Sequence, residues 1–341
     1  MLSPVRGTSL LGPSRASRTR DPTPGRVLKR AERAWDRCTD PNTHAALEFS
    51  SSTRLTVRAN VAGTLCLSRL VPLAYAIYLP NAPFLISPPA FDGAGADAVR
   101  AIRDLRVFER FEPSTVVVSS PHWVTQPGFR VNESVRPRQI YDFSGFPPSL
   151  SSVKYEPHGD PGLARALVAS AQAAGVDARG TEEWGLDHGA WAPLMHLIPE
   201  TRSTVVPVSI TTRSPRDHME FGKAIRPVLE SWPKRIAFVA TGSITHDFDR
   251  FDPRPDARWP EGESIESEIL DLVTAREDQA LLSFDPRKWN MVKPEGNLAP
   301  LFTLLGAIPE IRPRVAYRGS VMGGFGMSIL EFLPGGTEPR G

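Results

Sequence analysis

The sequence predicts a three-layer α/β/α domain around a mostly parallel or mixed sheet, preceded by a disordered N-terminal tail. Three observations lead there. From about residue 71, short apolar runs alternate with longer segments of helical spacing, the order that places helices over both faces of one sheet. The short runs are apolar and rich in β-branched residues, as strands covered on both faces are. No "GxGxxG" follows the first run, which argues against a dinucleotide fold.

The elements follow in order. "LAYAIYL" (73–79) reads as the first strand, and 95–111 as a helix. "TVVVSS" (115–120) is the clearest buried strand in the chain. The Ala/Leu-rich stretch 162–175 is a helix with glycine as its stop. "TVVPVSI" (204–210) is a strand in which Pro207 implies an irregularity or an edge position. A helix over 216–232 contains Pro227, which should kink or break it. "RIAFVA" (235–240) is a strand, helices follow at 264–276 and 298–305, and a closing strand pair lies near 314–317 and 328–332. The domain boundaries expected are 1–70 for an N-terminal extension, 71–335 for the catalytic domain and 336–341 for a disordered tail.

Composition narrows the function. The chain has 341 residues, 40% hydrophobic and 23% charged, with 34 prolines, an ordinary globular balance with many fixed turns. A net charge of +2 gives no reason to expect nucleic acid as a partner. Both cysteines, Cys38 and Cys66, precede the predicted domain, so a disulfide framework or a Cys-rich zinc site within it is excluded, and a reducing cytoplasm fits. The apolar run at 65–79 is interrupted by Arg69 and Pro72 and is too short to span a membrane. Residues 1–30 carry seven basic residues and one acidic residue, Asp21, with no apolar period. Disorder, a start assigned too far upstream and a transit peptide are the three readings of that segment.

Of seven histidines, His44 lies in the tail, His218 in a polar helix start where solvation is expected, His196 on a helix where packing is expected, and His158 in a turn. His122 and His246 differ. "TVVVSSPHW" and "FVATGSITHDF" share one logic: an apolar strand, small hydroxyl residues, then histidine. Two strands of one sheet would bring both imidazoles to the C-terminal edge, where open α/β sheets bind ligands. His188, in "WGLDHGAW", sits among glycines that permit close backbone approach. Three histidines at one rim would suit a metal. No HxH or HExxH spacing ties them together, so by spacing alone a metal site and three unrelated loop histidines stand level. The hydroxyls of Ser119, Ser120, Ser243 and Thr245 fit either support of such a site or simple capping of strand ends.

"SSPHW", "YDFSGFPPSL", "GLDHGAW", "TGSITHDF" and "PEGNLAPLFTLLGA", in that order, resemble the class III extradiol ring-cleavage dioxygenases, in the branch that holds their B-type catalytic domain and the DOPA-extradiol dioxygenase-like proteins. The resemblance covers roughly residues 71–333. It implies a non-haem Fe(II) site, with Zn(II) as the second choice, and cleavage of a catecholic or aminophenolic ring by dioxygen. The partners it implies are a small aromatic substrate and O2, with a homodimer as the expected assembly. His122 and His246 match the family's metal-ligand histidines, and His188 matches its acid/base histidine, supported by Asp187 and Trp191. Tyr141 and Phe143 lie in a loop that shapes the family's substrate site, and the resemblance implies substrate contact for Asp187 and Trp191 as well. Two departures stand out. Asn81 occupies the place of a further ligand histidine, with Ser87 as a shifted alternative, and "PEGNLAPL" lacks a histidine that relatives carry near Gly296 or Asn297. These departures leave two alternatives open: a metal-poor, non-catalytic binding homologue, and a zinc-dependent hydrolase.

Overall fold

Strands that alternate their side chains between two apolar layers need helices above and below, and the chain supplies both. The computed structural model describes residues 56–59, 65–68 and 73–333. The strands are β1 (Thr56–Ala59), β2 (Leu65–Ser68), β3 (Leu73–Leu79), β4 (Thr115–Thr125), β5 (Phe129–Asn132), β6 (Ala178–Thr181), β7 (Thr204–Thr211), β8 (Ile236–Thr241), β9 (Pro313–Tyr317), β10 (Ser320–Val321), β11 (Phe325–Gly326) and β12 (Ile329–Phe332). The α-helices are α1 (Ala96–Asp104), α2 (Val107–Phe111), α3 (Pro161–Ala173), α4 (His188–Leu197), α5 (Pro215–Ser231), α6 (Pro260–Ala275), α7 (Asp278–Leu282), α8 (Pro286–Val292) and α9 (Ala299–Ala307).

Eight strands form one mixed sheet in the order β6-β5-β7-β4-β8-β3-β12-β9. The central four, β7, β4, β8 and β3, run parallel. Strand β12 joins antiparallel to β3 and to β9, closing the domain as the sequence implies. Along β8, Ile236, Phe238 and Ala240 enter the layer of α3, α5, α6 and α9, while Ala237 and Val239 enter the layer of α1, α2 and α4. Val117 of β4 faces the first layer, and Val116 and Val118 the second. Each valine, isoleucine or phenylalanine so buried stabilises by about 1.5–3 kcal/mol.

Three local differences from the sequence expectation have physical reasons. The helix expected over 95–111 is two helices, because Arg106 takes a left-handed conformation (φ 47°) between α1 and α2. Helix α5 continues through Pro227. Pro207 lies inside the sheet rather than at its edge; β5 meets β7 through one residue pair, Val131 with Val208, so few ladder bonds are asked of that side. In the N-terminal extension, β1 and β2 pair antiparallel where no element was expected. The remainder of 1–72, including His44, and the tail 334–341 lie outside the described residues. Among the described residues no helix is long and apolar enough to cross a membrane.

Candidate metal centre

The C-terminal ends of β3, β4 and β8 carry the chemistry. Strand β4 loses register with β7 between Ser119 and Val124. Such irregularities bend a strand and re-aim its side chains, and His122 sits within this one. After β8 the chain turns through Gly242 (φ 149°), whose N–H donates to the Leu79 carbonyl at 3.0 Å. The following segment reaches His246, whose N–H donates to the Val292 carbonyl at 2.8 Å. Asn81 lies just past Pro80 beyond the end of β3 and is 2% exposed.

His188 begins α4. Asp187 caps that helix, its side chain accepting from the Ala190 N–H at 3.1 Å and from Trp184 Nε1 at 3.2 Å. Burial raises the Asp187 pKa above the ordinary carboxylate range, against the charge of His122. Gly189 explains the glycine of "DHGAW": a Cβ there would lie 2.4 Å from Ser120 Oγ, 2.7 Å from His122 Cδ2 and 3.0 Å from Asn81 Nδ2. The helix start is thereby pressed against the strand ends. The His122 and His188 rings meet edge-on with centroids 4.2 Å apart.

Two carboxylates organise these imidazoles, and sequence reasoning singled out neither. Asp142 lies in the "YDFSGFP" loop between Tyr141 and Phe143. Its Oδ2 holds His122 Nδ1 at 2.8 Å, and its Oδ1 holds His188 Nδ1 at 2.9 Å and the His188 N–H at 2.7 Å. Burial would raise the Asp142 pKa, but these bonds to both histidines hold it far below the usual carboxylate range. Glu295 belongs to "PEGNLAPL". Its Oε1 lies 3.0 Å from His122 Nε2, 3.9 Å from His246 Nε2 and 3.3 Å from Asn81 Nδ2, and its Oε2 accepts from the Ser243 N–H at 3.1 Å. Burial opposes its charge, yet the His122 bond and the His246 charge keep its pKa below the ordinary value. A left-handed run at Gly296, Asn297 and Leu298 (φ 54°, 52° and 55°) turns the chain sharply behind it. That turn needs glycine, since a Cβ at Gly296 would lie 2.8 Å from Pro121 Cβ. The available signal was the glutamate of "PEGNLAPL", a motif read only for its missing histidine.

The donors fit a divalent cation. Donor atoms about 2.1 Å from an ion and at right angles about it stand about 3 Å apart. The Nε2 of His122 and the Oε1 of Glu295 have that separation, and the Nε2 of His246 needs to close by under an ångström. Two imidazoles and one carboxylate are the donor set of non-haem iron(II) oxygenases. A second grouping, His122, Asp142 and His188, also has its donor atoms within 4.8 Å of one another. Both Asp142 oxygens are already committed to imidazole Nδ1 atoms there, the arrangement by which an outer carboxylate orients metal-binding histidines. Without a cation, burial would lower the His122 pKa. The hydrogen bonds to Asp142 and Glu295 overcome it and raise the value to about 10, so a proton stands where the cation would.

The other residues fall into place around this. Trp191 is fully buried, with Nε1 donating to the Ile140 carbonyl at 2.9 Å. Asp187 and Trp191 therefore act by fixing α4 and its loop; both are buried and offer no surface to a substrate, in place of the substrate contact that the resemblance implies. Tyr141 donates its hydroxyl to the Val153 carbonyl at 2.7 Å, and Phe143 meets the His188 ring edge-on at 5.3 Å. Ser120 Oγ accepts from the His122 N–H, and Thr245 Oγ1 donates to the buried Glu266. Ser87, the shifted alternative to Asn81, precedes a 3-10 turn and makes no side-chain cap. His196 is packed as expected, between Arg103 and the Leu85 carbonyl. His218 is buried rather than solvated, accepting from the Thr211 N–H at 3.1 Å. His158 lies apart, in a surface cleft of about 560 Å³ with Arg136, Arg138 and Lys154.

Comparison with known proteins gives the family. Residues 68–326 match the family described as the catalytic LigB subunit of aromatic ring-opening dioxygenase. The chain belongs to that family, within the class III extradiol ring-cleavage dioxygenases, and is a ring-cleaving dioxygenase by class. Similar proteins include "Dioxygenase tasH" of Hapsidospora irregularis, 31% identical across 66% of this chain and 73% of that protein. A "4,5-DOPA dioxygenase extradiol" of Beta vulgaris is 28% identical across 60% of this chain and 76% of its own length. The fold is shared with an uncharacterized Escherichia coli K12 protein at TM-score 0.58 and 22% identity, covering 76% of this chain and 99% of that one.

Proposed function

We propose that the protein is a non-haem iron(II)-dependent extradiol dioxygenase that opens a catecholic or aminophenolic ring with dioxygen. One observation carries this: His122 Nε2, His246 Nε2 and Glu295 Oε1 converge beside His188 at the strand ends. Iron(II) held by His122, His246 and Glu295, with coordination positions left open, would supply one centre for binding both catecholate and dioxygen. Asn81 stands at the fourth corner, where its amide donates to Glu295 and orients that carboxylate. The relatives named for DOPA ring opening support a catechol as substrate.

His188 manages the proton. Asp142 occupies its Nδ1, so Nε2 is the atom left to exchange protons with a substrate hydroxyl. It takes a proton as the hydroxyl binds and returns one when the ring opens. Asp142 also fixes His122 Nδ1, leaving that ring's Nε2 lone pair for the cation. Glu295 gives the donor set the carboxylate that Asn81 and Asn297 do not, which supports a working centre over a metal-poor binding homologue.

The test is oxygen uptake after anaerobic loading with iron(II), using a panel of catechols and aminophenols. The expected result is a coloured ring-opened product formed with one O2 per ring, lost in Glu295→Gln together with the bound iron. Iron-loaded protein that consumes no oxygen with any member of the panel would overturn the assignment. Ester or amide turnover that needs zinc and no oxygen would instead establish the hydrolase.

A further inference from the structure

A chain of phenyl rings links the two sides of this site. From His188 it runs to Phe143 (centroids 5.3 Å apart), Phe146 (5.9 Å), Phe84 (6.4 Å) and Phe325 (5.8 Å), and ends on His246 (5.4 Å). The His122–His188 contact and Glu295 close the loop on the other side. Aromatic rings therefore border the donors on one side. At the outer end, Phe248 stands edge-on to both His246 (5.0 Å) and Phe325 (5.2 Å) while remaining 67% exposed. Phe251, also edge-on to Phe325, is 49% exposed. These are the large aromatic side chains left most open among the described residues, and both stand against Phe325 at the outer mouth of this chain of rings.

Among the described residues, the cations nearest Phe248 already have partners. Lys293 Nζ holds Asp247 Oδ1 at 2.7 Å and Asp249 Oδ2 at 2.5 Å, the two residues flanking Phe248. The Arg250 guanidinium lies over the Trp259 ring at 4.9 Å, and Arg254 is paired with Asp252. A substrate carboxylate would meet phenyl faces and two aspartates there, and among the described residues the nearby Lys293, Arg250 and Arg254 each already have a partner. Such a charge would sit against Asp247 and Asp249, whereas an alkyl substituent would cover rings that are now wet.

Resting on the dioxygenase assignment above, we infer that the site selects catechols bearing a neutral, apolar substituent over catechols bearing a carboxylate, and that Phe248 is the residue that sets this preference. The ring hydroxyls sit at His122, His246 and Glu295, and the substituent leaves along Phe325 and Phe248.

Anaerobic calorimetric titration of the iron(II)-loaded protein tests this by binding alone. The ligands are catechol, 4-methyl-, 4-ethyl- and 4-propylcatechol, and 3,4-dihydroxyphenylacetate. Each added methylene should tighten Kd by about fourfold, and the carboxylate ligand should bind at least tenfold more weakly than 4-propylcatechol. Phe248→Ala should flatten the alkyl series to under twofold per methylene. Phe248→Arg should bring the carboxylate ligand level with 4-propylcatechol or ahead of it. As an exposed position, Phe248 tolerates both changes without unfolding. A flat alkyl series in the unaltered protein, or tighter binding of the carboxylate, would overturn the inference while leaving the dioxygenase assignment intact. Failure of unsubstituted catechol itself to bind would overturn both.

Discussion

Replacing Asp142 by asparagine removes one charge and no volume, and it should damage the site in two ways at once. The carboxylate accepts from two imidazole Nδ1 atoms, His122 at 2.8 Å and His188 at 2.9 Å. An asparagine oxygen can accept from only one of them. The amide NH2 must face the other ring and impose the tautomer that is bare at Nδ1 and protonated at Nε2. If that ring is His122, its Nε2 can no longer serve a cation. If it is His188, its Nε2 can no longer take a substrate proton. A hydrogen bond to a charged group is worth about 1.5–3 kcal/mol. At about 1.4 kcal/mol per factor of ten, its loss weakens iron(II) binding or turnover by roughly 10- to 150-fold, the scale on which outer partners of metal ligands act. Competition against a chromophoric chelator under anaerobic conditions reads the affinity, and single-turnover oxygen consumption at saturating iron reads the proton step. Asp142→Asn protein within about twofold of the unaltered enzyme in both would refute the orienting role.

Three further outcomes follow from the same geometry. Gly189→Ala places a methyl 2.4 Å from Ser120 Oγ and 2.7 Å from His122 Cδ2, so the stability measured in denaturant should fall by the about 1–3 kcal/mol of an overpacked core, with iron binding lost too; an unchanged midpoint would contradict the close approach. Asn81→His adds a third imidazole beside Glu295 and should raise iron(II) affinity by about one to two orders of magnitude, measured by the same chelator competition; no change would place Asn81 outside the donor corner. In metal-free protein the His122 pKa is raised to about 10 by its carboxylate partners against burial. Its contribution to stability is therefore fully present below the unfolded value of about 6.5 and lost as pH rises through about 10. Urea unfolding with chelator across that window should show the loss, and His122→Gln should remove it; a pH-independent midpoint would contradict it.

Much of this was legible in the sequence because strands and their ends have local signatures. The apolar runs of β3, β8 and the first half of β4 mark the strands, and the small hydroxyl residues and histidine that follow two of these runs placed His122 and His246 at one rim. Asp142 and Glu295 were not legible from pattern. Each sits in an irregular loop, and their roles exist only through contacts between residues distant in sequence: Asp142 with His188, and Glu295 with His122. A carboxylate in a loop looks solvated until the fold buries it. His218 failed for the related reason that a polar helix start says nothing about which turn is pressed against β7. The split between α1 and α2 came from a left-handed arginine, a conformation that composition does not announce.

The direct measurement of the central claim is anomalous diffraction at the iron edge from crystals loaded anaerobically with iron(II). A single peak bounded by His122 Nε2, His246 Nε2 and the Glu295 carboxylate, with Asp142 still bridging the Nδ1 atoms of His122 and His188, is the predicted result. A peak seated instead among His122, Asp142 and His188, with Glu295 turned away, would contradict it.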